Sequence, residues 1–371
     1  MKRLSIISLL IMLLSPASLI AKGEKSTLKD AISPYFLIGV AMNADQVWMR
    51  DSMGARVARD NFNSVVAENC MKGEVIHPEE DRYEWIDADQ TVKFGQENGM
   101  TVIGHCLVWH SQPPKWMFTY ANGDTVSRYV LIDRMYHHIT TVMSRYKGKV
   151  KGWDVVNEAI NDDGSFRETP YYKIIGPDYI RLAFQFAHEA DPEAELYYND
   201  YNLSNPQKRA AVCQLVKSLK TDGCRIDAVG MQSHNGYDYP DLNEYEKSID
   251  AIAATGVKVM MTELDLNMLP TPKEFSGAEI SQNFAYNKIY NPYIKGLDRA
   301  TQKTFNERYL ALFGIYRRHA SQISRVTLWG VSDASSWLND WPIPGRTNYP
   351  LLFDRHYQPK PIIKQIINLF K

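Results

Sequence analysis

Cysteine is scarce in this chain and carries no pattern. Among 371 residues only Cys70, Cys106, Cys213 and Cys224 occur, with no CxxC pair and no Cys/His spacing of a zinc site. Four cysteines allow three full pairings, and spacing does not choose between them. Cys70 and Cys106 sit in apolar strand-end segments, so free buried thiols are expected there. Charge of one sign is also missing. The formal net charge is −1, which leaves no basic excess to neutralise phosphates and argues against nucleic acid as a partner. No GxGxxG follows a strand-like run, so a dinucleotide crevice is not expected. No low-complexity linker and no internal repeat divides the chain, which reads as a single domain. One notable apolar run lies at the start, from Leu4 to Leu14, and it is too short to span a bilayer comfortably.

That run follows Met1-Lys2-Arg3 and precedes Ser15-Pro16-Ala17-Ser18-Leu19-Ile20-Ala21. A basic start, an apolar stretch and small residues are the layout of a secretory signal. Cleavage fits after Ala17 or Ala21, so residues 1–21 are expected to be a signal peptide and 22–371 the working domain. The expected location is the periplasm or the exterior, with no membrane span once the signal is removed.

The remainder has a regular rhythm. Strand-like runs fall at 36–41, 64–68, 101–106, 150–157, 196–199, 226–232, 257–263 and 326–331. Helical stretches are expected between them at 85–98, 128–145, 178–190, 206–220 and 242–255. Gly99, Gly223 and Gly256 follow as stops. Strands alternating with helices imply parallel β/α units, and eight of them in this length imply an α/β fold closed as a (β/α)8 TIM barrel. In such a barrel the polar residues at strand carboxyl ends converge on one face. Five strand ends here are polar: Glu68-Asn69, Gly104-His105, Asn157-Glu158, Gln232-Ser233-His234 and Glu263-Leu264-Asp265.

Two of those ends carry the chemistry. Glu158 closes the apolar run Trp153-Asp154-Val155-Val156-Asn157, and Glu263 closes Val257-Lys258-Val259-Met260-Met261-Thr262. A buried carboxylate is costly unless paired or used. Two carboxylates facing across one cleft are what glycoside hydrolysis needs. Burial and a neighbouring carboxylate would raise Glu158 enough to serve as the acid. Glu263 must stay ionised to attack, and His234 and Asn157 are the donors expected to hold it so. Asp265 is expected to orient His234 by accepting its N–H. Sugar hydroxyls and faces would be met by Glu68, Asn69, Lys72, His105, Trp109, Gln112, Tyr201, Gln232, Trp329 and Trp337.

The segments Glu-Asn-x-Met-Lys, Gly-His-x-Leu-Val-Trp-His-Ser-Gln-x-Pro-x-Trp, Trp-Asp-Val-Val-Asn-Glu-Ala, Tyr-Asn-Asp-Tyr-Asn, Gly-Met-Gln-Ser-His, Thr-Glu-Leu-Asp and Trp-Gly-Val-Ser-Asp occur in this order. Together they resemble the glycoside hydrolase family 10 endo-β-1,4-xylanases over nearly the whole mature chain. The resemblance implies a (β/α)8 barrel, a retaining endoxylanase, Glu158 as acid/base and Glu263 as nucleophile. It places Glu68, Asn69, Lys72, His105, Trp109, Gln112, Asn157, Gln232, His234, Trp329 and Trp337 in the glycone and catalytic subsites. Retention implies carboxyl groups about 5–5.5 Å apart. The expected partners are xylan and xylo-oligosaccharides, and the protein is expected to act as a monomer with no cofactor and no metal. A mixed cellulase/xylanase, an inactive polysaccharide-binding barrel and an unrelated metal-using barrel are the competing readings. Two departures stand out. Gly73, followed by Glu74, replaces a tryptophan frequent after Met-Lys, and residues 266–299 form a long βα connection, read as an elaborated loop beside the active face.

Overall fold

The computed structural model describes residues 27–371, Ser276 excepted, so the expected signal peptide lies outside the described residues. Nine strands are present: β1 Leu37–Met42, β2 Ser64–Ala67, β3 Thr101–Trp109, β4 Gly152–Asn157, β5 Glu195–Asp200, β6 Ala228–Met231, β7 His234–Gly236, β8 Lys258–Asn267 and β9 Ile323–Leu328. Every strand pairing is parallel, and β6 pairs with β8 to close the ring. The short β7 continues the line of β6 and pairs with the upper half of β8, His234 opposite Asp265. Eight staves therefore make the barrel, as the alternating pattern implied.

Several strand ends differ from expectation: β3 runs three residues past 106 to Trp109, β9 lies three residues ahead of the expected 326–331, and two further differences bear on the site. The stave expected at 226–232 is broken because Ser233 adopts φ 66°, a left-handed conformation rare for a residue with a side chain. Its hydroxyl donates to the Met231 carbonyl at 3.0 Å. The strand expected to stop at Glu263 runs on to Asn267, since β7 supplies a partner for its second half. Glu263 thus sits inside β8, where the register against β9 shifts between Met261 and Leu264.

The helices 86–97, 128–145, 179–190, 206–221 and 242–253 lie where the periodicity put them, within a residue or two. Side-chain caps start several of them. Ser127 accepts from Val130 N–H, Asn205 from Gln207 N–H ahead of Pro206, and Asp241 from Asn243 and Glu244. Each such cap contributes about 1 kcal/mol. Helices Ser52–Asn61, Arg299–Arg318 and Ile362–Leu369 were not anticipated in detail. Most buried apolar side chains lie between barrel and helices. A smaller cluster of Ala41, Val66, Ile103, Tyr197, Ala228, Met260 and Trp329 fills the barrel interior. All four cysteines are free, with Cys106 and Cys224 buried and Cys70 and Cys213 half-buried.

Candidate active site

A cavity of about 320 Å³ opens at the carboxyl ends of the strands. Thirteen of the fifteen residues expected at a site line it; Asp265 and Tyr201 stand behind its wall. Glu158 follows β4 directly and holds φ 58°. A non-glycine residue in that region costs about 1–3 kcal/mol, so its surroundings must fix it. Its N–H donates to Asn199 O at 2.9 Å, and its carbonyl accepts from Arg167 Nε at 3.1 Å.

The Glu158 carboxyl is buried and meets neutral donors. Trp109 Nε1 donates to Oε2 at 2.8 Å, while Gln232 Nε2 at 2.9 Å and Asn157 Nδ2 at 3.3 Å donate to Oε1. Burial pushes its pKa up to about 7, with Asp200 and Glu263 adding to the rise and the Gln232 and Trp109 hydrogen bonds opposing it. The group is poised to give a proton near neutral pH.

Glu263 is equally buried but meets a cation. His234 Nε2 lies 3.0 Å from Oε2, and Asn199 Nδ2 donates to Oε1 at 2.7 Å. His234 Nδ1 faces Asp265 Oδ2 at 2.9 Å, and Trp337 Nε1 donates to that same oxygen at 2.8 Å. Burial alone would lower His234, yet Asp265 and Glu263 outweigh it and lift the imidazole to about 10. It is therefore an imidazolium, and both ring N–H groups donate. Burial likewise tends to raise Glu263, but His234, His105 and Asn199 more than offset that and leave it below the usual carboxylate range. Below about pH 7 one carboxyl holds its proton while the other has lost its own.

The donor expected from Asn157 is misassigned. Its amide N–H points to Glu158, and its carbonyl oxygen accepts from Asn199 Nδ2 at 2.9 Å and from Gln232 Nε2 at 3.3 Å. Asn199, at the end of β5, is the amide that holds Glu263. It is anchored in turn by Thr262 Oγ1, which donates to its Oδ1 at 2.6 Å. Gly230 makes the room: a Cβ there would lie 2.2 Å from Asn199 Oδ1. A polar residue at the end of a stave between the two glutamate-bearing stretches was the available signal.

Other partners were also missed. His105 Nδ1 lies 2.9 Å from Asp154 Oδ2, an acid embedded in an apolar run, where a buried charge demands a partner. Lys72 Nζ donates to Asn69 Oδ1 at 2.9 Å and sits 5.2 Å from the Trp109 ring centre. Trp341 stacks on Trp337 at 4.4 Å between ring centres and lines the cavity. Gln112 Nε2 donates to Glu74 Oε1 at 2.8 Å, and Glu74 N–H donates to Gln112 O at 3.0 Å. This explains the departure at Gly73, where a Cβ would lie 2.9 Å from Pro114 Cδ and push that segment away.

Tyr201 stands on the opposite flank, its hydroxyl accepting from Arg167 Nη2 at 2.6 Å. Arg167 also donates to Glu279 Oε2 at 2.7 Å, which ties the long connection after β8 to this flank. Ala278 and Ile280 of that connection line the cavity, so it is part of the wall.

The sequence profile of glycosyl hydrolase family 10 matches residues 27–369. The chain is 63% identical to endo-1,4-beta-xylanase A of Xylanibacter ruminicola over 100% of both chains. It is 39% identical to an endo-1,4-beta-xylanase of Geobacillus stearothermophilus, covering 92% of this chain and 98% of that one. A solved GH10 endoxylanase retrieved from a sugarcane soil metagenome superposes with a TM-score of 0.89 at 44% identity, over 92% of this chain and 99% of that one. With barrel, paired glutamates and sequence in agreement along its length, the chain belongs to glycosyl hydrolase family 10.

Proposed function

We propose that the protein is an exported, retaining endo-1,4-β-xylanase that cuts internal xylosidic bonds by double displacement. The observation that carries glycoside hydrolysis is two buried glutamates at one cavity with different partners, neutral donors at Glu158 and His234 at Glu263, and retention is supported by membership of the family. Glu263 attacks the anomeric carbon, and Glu158 transfers its proton to the departing glycosidic oxygen. Once Glu263 is esterified its negative charge is gone, and with it one of the influences raising Glu158. Glu158, now a carboxylate, accepts a proton from water as that water attacks the glycosyl-enzyme and frees Glu263.

The substrate assignment is supported by the xylanase relatives and by the indoles of Trp329 and Trp337, which offer flat faces to a pyranose ring. The layout of residues 1–21 supports export. Among the described residues, no helix is long and apolar enough to cross a membrane.

The test is product analysis on unsubstituted β-1,4-xylan and on soluble cellulose, with the newly formed anomer followed by NMR. Early β-configured xylo-oligosaccharides from xylan, with little from cellulose, are expected. Initial α-anomers would overturn the roles of Glu158 and Glu263. Equal turnover of both polymers would favour the mixed glycanase.

A further inference from the structure

Asn69 stands between the main cavity and a neighbouring one. This second cavity, of about 350 Å³, is also bounded by Met42, Asn43, Asp45, Val75 and Asp87. This space lies over the ends of β1 and β2. It meets the main cavity at Asn69, which lines both, on the side that also carries Glu68 and Lys72. A linear chain lying in the main cavity and projecting past Asn69 enters it.

Trp48 does not line this cavity but adjoins it through Asp87. Its Nε1 donates to Asp87 Oδ1 at 2.7 Å, so the indole is tethered by its edge to a residue of the second cavity. Even so, Trp48 remains 39% exposed, whereas Trp153, which packs in the interior, is 1% exposed. Among the described residues Trp48 forms no ring–ring pair. Val75, also well exposed, borders the same space. Asn43, Asp45 and Asp87 add amide and carboxylate groups for hydroxyls. A fixed aromatic face ringed by such groups is the chemistry that takes a pyranose. Tethering the ring beforehand also reduces the ordering cost of binding.

We propose that this second cavity, with Trp48 as its platform, is an accessory binding site for the distal glycone residues of a β-1,4-xylan chain threaded through the main cavity. It rests on the xylanase reading above. It acts on long chains and is out of reach of short ones.

The experiment compares wild type, Trp48→Ala and Trp48→Phe on an aryl β-xylobioside and on xylohexaose. The aryl glycoside places only two sugars on the glycone side. For Trp48→Ala, kcat/KM on xylohexaose is expected to fall about three- to tenfold, through KM, the scale of one lost aromatic contact. The aryl xylobioside is expected to react as in wild type, and Trp48→Phe to recover most of the loss. Equal losses on both substrates would mean that Trp48 only supports the fold, and undiminished turnover of xylohexaose would mean that no sugar reaches it; either overturns the proposal. A wild-type protein that cleaves neither substrate is a distinct result, and it removes the parent reading together with this one.

Discussion

Gln232 is expected to set the alkaline edge of activity through Glu158, and Gln232→Met should expose it. Gln232 Nε2 donates to Glu158 Oε1 at 2.9 Å and so favours the charged carboxylate. It is foremost among the influences that hold Glu158 down against burial. A hydrogen bond to a charged group is worth about 1.5–3 kcal/mol, and one pKa unit is about 1.4 kcal/mol. Removal alone would thus raise Glu158 by about one to two units. Trp109 and Asn157 remain as donors to the same carboxyl, which puts the expected rise near the lower end, about one unit. Methionine keeps the length and apolar bulk but has no N–H. Asn157 Oδ1 loses one donor and keeps Asn199. The sign follows directly: Glu158 must be protonated to donate, so activity falls as pH rises through its pKa. In wild type that edge is expected near pH 7, where Glu158 titrates. In the variant it moves to about pH 8. The assay is kcat/KM against pH on a xylo-oligosaccharide, whose poor leaving group needs the proton. The Gln232 side chain makes no hydrogen bond to Glu263, whose N–H donates to the Gln232 carbonyl at 2.8 Å, a backbone bond the substitution leaves in place, so the acid edge should not move. An alkaline edge that stays put or moves to lower pH would refute the assignment of Glu158 as the acid controlled by Gln232.

Glu263→Ala is expected to lower kcat at least ~10³-fold on xylan, because positioning cannot replace a covalent step; near-normal turnover would remove it as nucleophile. Glu158→Ala should damage xylo-oligosaccharide cleavage far more than cleavage of an activated aryl glycoside, and equal losses on the two would count against the acid role. A third prediction concerns stability. His77 and His138 are stacked with their Nδ1 atoms 3.0 Å apart, and burial, reinforced by His77, lowers His138 to about 3. Below the ordinary histidine value of about 6.5 the unfolded chain takes up a proton that folded His138 refuses, so stability is lost as pH falls from there towards 3. His138→Gln should remove about 2 kcal/mol of the loss between about pH 6.5 and 5, read from urea unfolding at each pH; an unchanged slope would show that the pair does not govern acid stability.

The barrel was legible because its signals are periodic and local. Apolar runs, helical spacing and glycine stops recur in a fixed order, and each survives being read without its neighbours. The glutamates were legible for a related reason, since a carboxylate closing an apolar run needs an explanation wherever it occurs. Partners were harder to read. Asn199 reaches Glu263 only because Gly230, on the next stave, leaves space, and that is a fact of tertiary register. Asp154 and His105 are brought together by pairing of β3 with β4, and Arg167 meets Glu279 across 112 residues of chain. The break at Ser233 and the continuation of β8 to Asn267 depend on each other, since the displaced β7 provides the partner for the extra residues.

The difference between the two glutamates shows where reading by residue type stops. Both are buried glutamates at the mouth of one barrel, each holding two or more donors. What separates them is the charge of those donors. Glu158 receives hydrogen bonds from an indole and two amides, all neutral, and these do not overcome burial. Glu263 receives one amide and one imidazolium, and the imidazolium exists because Asp265 stands behind it. Asp265 touches no wall of the cavity, yet without it His234 would lose one of its two compensating charges and burial would pull it back towards neutrality. Glu263 would then lose its nearest cation and drift up towards Glu158. The difference expected between acid and nucleophile is thus set behind the cavity lining, by a side chain that hydrogen-bonds His234 and Trp337 rather than either glutamate.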